Sequence, residues 1–487
     1  GQGGFQEVEQ MNLFKDMVCY QEEVRDPSRM AEVLNRVIEK AIRGSAPAQI
    51  NVPRDYWTQV IDIDLPPIVR LERQGGGEDA IKNAAELLSK AKFPVILSGA
   101  GVVIGGAIEE TKKLAEKLDS PVCSGYQHND SFPGSHPLAV GPLGYNGSKA
   151  AMELISKADV VLALGTRLNP FSTLPGYGID YWPKKASIIQ VDINPDRIGL
   201  TKKVTVGISG DAKLVAKQIF SKLSSSAGDT DRQKRKDLIH QTKSAWLQKL
   251  SSLDHEDDDE GTVWNKEARE RDKDRMSPRQ AWRAIQAGMP DDVIISSDIG
   301  NNCAIGNAYP VFEKPRKYLA PGLFGPCGYG FPSILGAKIG CPDTPVIGFA
   351  GDGAFGISMN EMSSCAREEW PSITMVIFRN YQWGAEKRNT TLWFDNNFVG
   401  TELDPELSYA KVADACGLKG VTVKTMEETT AAIKQSCEDQ KKGVTTFIEV
   451  ILNQELGEPF RRDAMKKPVK VAGIEKKDMR PQKSLNG

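Results

Sequence analysis

The chain has 487 residues, of which 40% are hydrophobic and 26% charged, and its 62 Lys and Arg nearly cancel 64 Asp and Glu to leave a formal charge of -2. That length is too great for one hydrophobic core and calls for several domains of about 100–200 residues. The composition excludes a disordered chain, a collagen and a coiled-coil rod. The balanced charge argues against nucleic acid as a partner, and no apolar run reaches the ~18 residues of a membrane span.

Residues 1–73 read as the end of a domain and its exit. Ser28–Arg43 carries helical apolar spacing (Met30, Val33, Leu34, Val37, Ile38, Ala41). AQINVP at 48–53 predicts a short strand, and QGGGED at 74–79 a flexible joint. Residues 74–220 predict a central domain: helices over 80–91, 107–118 and 148–157, and strands over 94–99, 121–125, 159–165 and 187–192. Residues 221–275 are charged and read as a linker with a helix around Leu238–Leu253; the run DHEDDDEG is expected to be a solvated connection rather than a metal site. Residues 276–455 form a third unit, with strands over 292–298, 345–353, 373–380 and 446–452, and 456–487 a tail. Apolar β-branched strands alternating with amphipathic helices predict an α/β protein of doubly wound parallel sheets.

Eight cysteines (19, 123, 303, 327, 341, 365, 416 and 437) form no C-x-x-C pair and the histidines are dispersed. No zinc site is expected, and free thiols in a reducing, cytoplasmic setting are. The opening GQGGFQEVEQMNLF is no signal peptide and lacks an initiator Met, so the chain is expected to be a fragment.

Chemistry concentrates in Gly351–Gly384, GDGAFGISMNEMSSCAREEWPSITMVIFRNYQWG. One apolar strand ends at Gly351-Asp352-Gly353 and the next at Arg379-Asn380. In a parallel sheet both ends lie on one edge, where ligands bind. That brings the Asp352 carboxylate and the Asn380 carboxamide together, a hard-oxygen pair suited to Mg²⁺. The glycines admit close backbone approach, and the N–H groups that follow suit a phosphate. The site asks for a metal-bound diphosphate.

GDG, a βαβ segment and the terminal Asn resemble the fingerprint of thiamin diphosphate (ThDP) enzymes. GPCGYGFPSILGAKIG (325–340) resembles their aminopyrimidine-holding segment and SSDIGNNCAIG (296–306) their diphosphate-touching loop. SFPGSHPLAVGPLGYNGS (131–148) and IIQVDINPDRIG (188–199) resemble the middle domain of acetolactate-synthase-like members, and FQE (5–7) and GSAPAQINVPRDYW (44–57) the end of their pyrimidine-binding domain. The resemblance covers nearly the whole chain. It implies a three-domain architecture with most of the first domain missing. Within the superfamily, RNYQWGAEKRNTTLWFDNNFVGTELD (379–404), the opening segment and the FRRDAMKKPVK end resemble the sulfoacetaldehyde acetyltransferase branch.

That resemblance implies a reaction of sulfoacetaldehyde with phosphate to acetyl phosphate and sulfite, with ThDP carrying the carbon chemistry. It implies Mg²⁺ ligation by Asp352, Asn380 and the backbone oxygen of Gln382. It implies diphosphate contacts from Gly351, Gly353, Ala354, Asn301 and Asn302, and a Gly325 carbonyl that accepts from the aminopyrimidine. Cys327 stands where relatives carry a large apolar wedge, so Leu323 or Phe324 is expected to help. Arg379 replaces the first Asn of the usual Asn-Asn pair. Lys387 and Arg388 are candidate contacts to an anionic substrate, and Phe5 and Gln6 candidate linings of the substrate side. His128 and His136 are expected to be structural. A homodimer or homotetramer is implied, with no membrane partner. The activating Glu of relatives belongs to a first-domain segment that 1–56 does not contain, so this chain by itself is expected to be weakly active or inactive. Two rivals remain: another ThDP carboligase of the acetolactate synthase or glyoxylate carboligase type, and a non-catalytic nucleotide- or flavin-binding subunit suggested by PVILSGAGVVIG (94–105). FAD is not expected.

Overall fold

The computed structural model describes residues 2–67, 72–224, 229–253, 270, 272–322, 324–393 and 397–455. The expected tail 456–487, the DHEDDDEG run and Leu323 lie outside the described residues. The chain forms two compact units, Gly1–Arg73 and Gln74–Gly487.

In the first unit, strands β1 (Tyr20–Glu23) and β2 (Ala48–Asn51) pair in parallel, with the helix Met30–Gly44 between them in sequence. Val33 and Val37, one helical turn apart, bury against Val24. Ser45 ends the helix in a left-handed conformation, φ 47°, with its N–H turned back to the last carbonyls.

The second unit holds two six-stranded, all-parallel sheets. The first comprises β3 (Pro94–Ser98), β4 (Val122–Ser124), β5 (Ala139–Pro142), β6 (Val160–Leu164), β7 (Ser187–Asp192) and β8 (Val206–Ser209), in the spatial order β5-β4-β3-β6-β7-β8. The inner strands PVILS and VVLAL are buried throughout, as a sheet covered on both faces requires. The second comprises β9 (Ile294–Ser297), β10 (Tyr318–Leu319), β11 (Val346–Gly351), β12 (Thr374–Arg379), β13 (Lys419–Val423) and β14 (Thr446–Ile451), ordered β10-β9-β11-β12-β14-β13. One apolar cluster centred on Trp282, Phe349 and Phe378 covers one face; another, on Phe331, Phe355 and Phe447, covers the other.

Much of the segment expected as a linker is a helix, Asp229–Leu253. It is longer than the apolar spacing suggested because Arg235 anchors its first half. That guanidinium donates to the carbonyls of Lys92, Leu118 and Asp119 at 2.6–3.0 Å. The two sheets meet through short polar bonds, among them Gly134 N–H to Phe312 O at 2.8 Å and Lys317 N–H to Asp130 Oδ2 at 3.0 Å. All eight cysteines are free. Among the described residues no helix is long and apolar enough to cross a membrane.

Candidate active site

In the second sheet the strand order reverses direction between β9 and β11, and ligands of open α/β sheets bind at such a switch point, beyond the carboxyl ends of the strands. Asp298 follows β9, Asp352 follows β11, and Arg379-Asn380 close β12. Gly351 pairs with Phe378, so the next positions along, Asp352 and Arg379, stand side by side.

Asp352 is 1% exposed and heavily engaged. Its Oδ2 accepts from Arg379 Nη1 at 3.1 Å and from the Tyr381 N–H at 2.6 Å, and its Oδ1 faces the Gly353 N–H at 3.0 Å. Burial pushes its carboxyl up to about 6, against the lowering pull of Arg379 and the Tyr381 amide. Two oxygens offer about four lone-pair positions, so Oδ1 keeps capacity for a cation. Such a partly compensated buried carboxylate gains most from a divalent ion.

Asn380 is buried beside it. Tyr381 turns the chain with φ 61°, a conformation non-glycine residues seldom adopt; its amide bond to Asp352 and the Arg379 guanidinium, 4.2 Å from its ring centre, hold it there. Gln382 then opposes Glu402 in an antiparallel bridge. The flanking bonds, Trp383 N–H to Thr401 O at 2.8 Å and Leu403 N–H to Tyr381 O at 3.0 Å, are those of a pair whose central residues do not bond each other. The Gln382 carbonyl takes no part in that bridge, as a metal ligand requires. Its side-chain Nε2 donates to Gln454 O at 3.1 Å, while its buried Oε1 accepts no hydrogen bond.

The other expected residues gather around this edge. Asn301 and Asn302 open a short helix and are buried; the Asn302 Oδ1 accepts no bond, and its carbonyl is fixed by Trp282 Nε1 at 2.6 Å. Asn301 Nδ2 lies 3.2 Å from where a Cβ on Gly384 would stand, so it reaches the loop after β12. Gly353 packs on Trp383: a Cβ there would sit 2.8 Å from the indole. Its neighbour Gly351, by contrast, has nothing within 4 Å of a built Cβ, which leaves room at the strand end. Ala354 is buried. Gly325, φ 65°, and Gly328, φ 88°, shape the following segment.

Asp298, assigned no role from the sequence, organises that segment. Its carboxylate accepts from the N–H groups of Ile299, Gly328 and Gly330 at 2.7, 3.1 and 2.7 Å. The only trace of this in the sequence is an acidic residue at a strand end, two positions before Gly300. Cys327 is exposed, and desolvation followed by the charges of Asp298 and Glu386 pushes its thiol up, away from a reactive thiolate. Phe324 is 92% exposed.

Lys387 departs from its expectation. It is fully buried, and its ammonium meets Glu402, whose other oxygen accepts from Gln454 Nε2 at 3.2 Å. The desolvated ammonium finds its countercharge within the fold, so the structure gives it a loop-bracing partner instead of a free cation. Arg388 is also buried. Gln6 belongs to the first unit, exposed, with φ 61°, as is Phe5. His128 is partly buried, and its imidazole is lowered to about 4 by burial and by Arg167. His136 bonds Glu116 at 3.2 Å.

Two family models match the second unit: the central domain of thiamine pyrophosphate enzymes over residues 81–219, and their C-terminal TPP-binding domain over residues 298–450. A protein of Rhizobium meliloti (strain 1021) named a probable sulfoacetaldehyde acetyltransferase is 78% identical over 100% of this chain and 82% of its own length. The chain belongs to the sulfoacetaldehyde acetyltransferase family of thiamine pyrophosphate enzymes. A Roseovarius nubinhibens sulfoacetaldehyde acetyltransferase is 74% identical over 99% of the chain and 80% of its own length. A probable acetolactate synthase large subunit of Methanococcus aeolicus is 30% identical over 90% and 72%.

For a sulfoacetaldehyde acetyltransferase family member, the edge described here fits its cofactor. Asp352, the Gln382 carbonyl and the Asn380 carboxamide are hard-oxygen donors of the kind a divalent ion takes. The buried Asn302 Oδ1 and Gln382 Oε1 accept no hydrogen bond from the protein, which leaves them as acceptors for water or a ligand.

Proposed function

We propose that this protein converts sulfoacetaldehyde and phosphate to acetyl phosphate and sulfite, using thiamin diphosphate held through Mg²⁺. The observation that carries the reading is the 2.6 Å bond from the Tyr381 amide to Asp352 Oδ2, which joins the residue after Asn380 to the GDG turn. Asp352 and Asn380 would ligate the ion by side chain and Gln382 by its carbonyl. The N–H groups of Gly353 and Ala354, with Asn301 and Asn302, would meet the diphosphate; for Gly353 this means exchanging its present bond to Asp352. The cofactor supplies the carbanion chemistry that cleaves the carbon–sulfur bond and hands the acetyl group to phosphate.

The residues of this chain position and hold. Asp298 fixes the Gly328 and Gly330 amides in the segment that begins at Gly325, whose carbonyl would accept from the aminopyrimidine. Trp383 against Gly353 and the pairing of 381–383 with 401–403 keep the metal loop rigid, the precondition for electrostatic stabilisation. A homodimer or homotetramer is the working unit that the family membership implies. The free thiols accord with a reducing, cytoplasmic setting.

The test is sulfite release from sulfoacetaldehyde with ThDP and Mg²⁺, with and without phosphate, beside pyruvate consumption. Phosphate-dependent sulfite release is expected, weak in this chain by itself. Pyruvate consumption without sulfite release would replace this reading with a carboligase.

A further inference from the structure

Arg379 is the least expected group at the site. It ends β12, is 1% exposed at its side chain, and stands between two buried carboxylates. Its Nη1 donates to Asp352 Oδ2 at 3.1 Å and its Nε lies 3.5 Å from Glu449 Oε1. Its Nη2 donates to the carbonyls of Leu407, at 2.8 Å, and Asp404. The guanidinium plane is further bounded by the rings of Tyr381 and Tyr409, at 4.2 and 5.4 Å. Tyr409 in turn donates its hydroxyl to the Asp352 carbonyl at 2.8 Å. Glu449 is held by Ser408 Oγ at 2.7 Å and by Thr422 Oγ1 and the Tyr409 N–H at 3.3 Å.

A cation beside a metal site should repel the metal. Here the charges add to one positive and two negative, so the cluster of Asp352, Arg379 and Glu449 stays at a net -1 (+1 - 2) and still attracts a divalent ion. A rigid fork of donors also does what a point charge cannot. It grips the Asp352 side chain with one arm and the 404–407 segment with the other. That segment continues directly from 401–403, the partner of the metal loop.

We infer that Arg379 is a positioning residue for the metal ligand Asp352: together with its countercharge Glu449, it sets the carboxylate and the 380–384 loop in their liganding arrangement before the cation arrives. The inference rests on the reading of Asp352 as a ligand.

The test titrates Mn²⁺ into the protein with saturating ThDP, following free Mn²⁺ by electron paramagnetic resonance, for wild type, R379K and R379Q. Hydrogen exchange at the Tyr381 amide is followed in the same proteins without cofactor. Orientation of a ligand by its hydrogen-bonding partner is commonly worth about 10–100-fold in metal affinity. R379K keeps the charge and loses the fork; R379Q loses both. Half-saturation by Mn²⁺ is expected to rise about tenfold or more in both variants, and Tyr381 exchange to quicken in both. A merely structural arginine would lower the melting temperature and leave Mn²⁺ half-saturation within about twofold in folded R379K, which overturns the inference. An arginine acting by charge alone would leave R379K like wild type and tighten Mn²⁺ in R379Q, which also overturns it. Wild-type protein that binds no Mn²⁺ with ThDP overturns the reading of the site itself, and this inference with it.

Discussion

The two large sheets of the second unit share an architecture and differ in what they place at the point where strand order reverses. In the first sheet that point lies between β3 and β6. There the two following loops meet backbone to backbone: Gly101 N–H bonds Gly165 O at 2.9 Å, and a Cβ on Gly99 would stand 2.5 Å from the same oxygen. The glycines of PVILSGAGVVIG are accounted for by that contact. In the second sheet the same point carries Asp298 and Asp352, with Arg379 and Asn380 ending the next strand, all buried, and Gly351 has open space beside it. The same winding thus yields close packing at one edge and buried polar groups beside open space at the other, and the residues after the strands decide which.

The largest expected effect lies at the open edge. Asp352→Asn keeps the shape but removes the charge that a divalent ion needs. Sulfite release and Mg²⁺-dependent ThDP affinity are expected to fall by about 100-fold or more, with the far-ultraviolet circular dichroism unchanged. Equal affinity in wild type and variant would erase the contrast between the two edges.

Gly99→Ala probes the packed edge. Its methyl would press on the backbone at Gly165, so a loss of about 1–3 kcal/mol in stability is expected. The Mg²⁺ half-saturation of the folded protein should not move. Denaturant melts and metal titrations on one preparation separate the two.

A smaller effect belongs to His128, in the loop after β4. Its imidazole is lowered to about 4 from 6.5, by burial first and Arg167 second. The folded state therefore binds fewer protons than the unfolded state between those values. The contribution is fully present above pH 6.5 and lost as pH falls toward 4. With part of the ring meeting water, it amounts to about 1–2 kcal/mol. His128→Gln should flatten the fall in stability across that window, measured by urea melts from pH 7 to 4.5.

In the two six-stranded sheets the inner strands were legible in the sequence and the edge strands were not. The apolar runs around 94–98, 160–164, 346–351, 374–379 and 446–451 announce buried strands because both their faces are covered. β1 of the first unit was missed too, and the strands of the six-stranded sheets absent from the sequence reading, β5, β8, β10 and β13, are their four edges. They are short or carry glycine, as in VGIS and KGVTV, and their half-covered faces blur the signal. The site divides in the same way. Asp352, Asn380 and the glycines were readable because one βαβ unit delivers them. The ion pairs of Arg379 with Glu449 and of Lys387 with Glu402 were not, because they join residues that only the folded sheet and its loops bring together. Lys387 and Arg388, read from the sequence as candidate contacts to an anionic substrate, are both buried.

The central claim is that one edge of the second sheet holds a divalent ion between Asp352, Asn380 and the Gln382 carbonyl. A crystal structure of the protein with ThDP and Mn²⁺, phased on the anomalous signal of the ion, tests it most directly. An anomalous peak at bonding distance, about 2.0–2.4 Å, from those three oxygens and from the diphosphate is the predicted result. A peak elsewhere, or ThDP bound with those oxygens turned away from any ion, would contradict it.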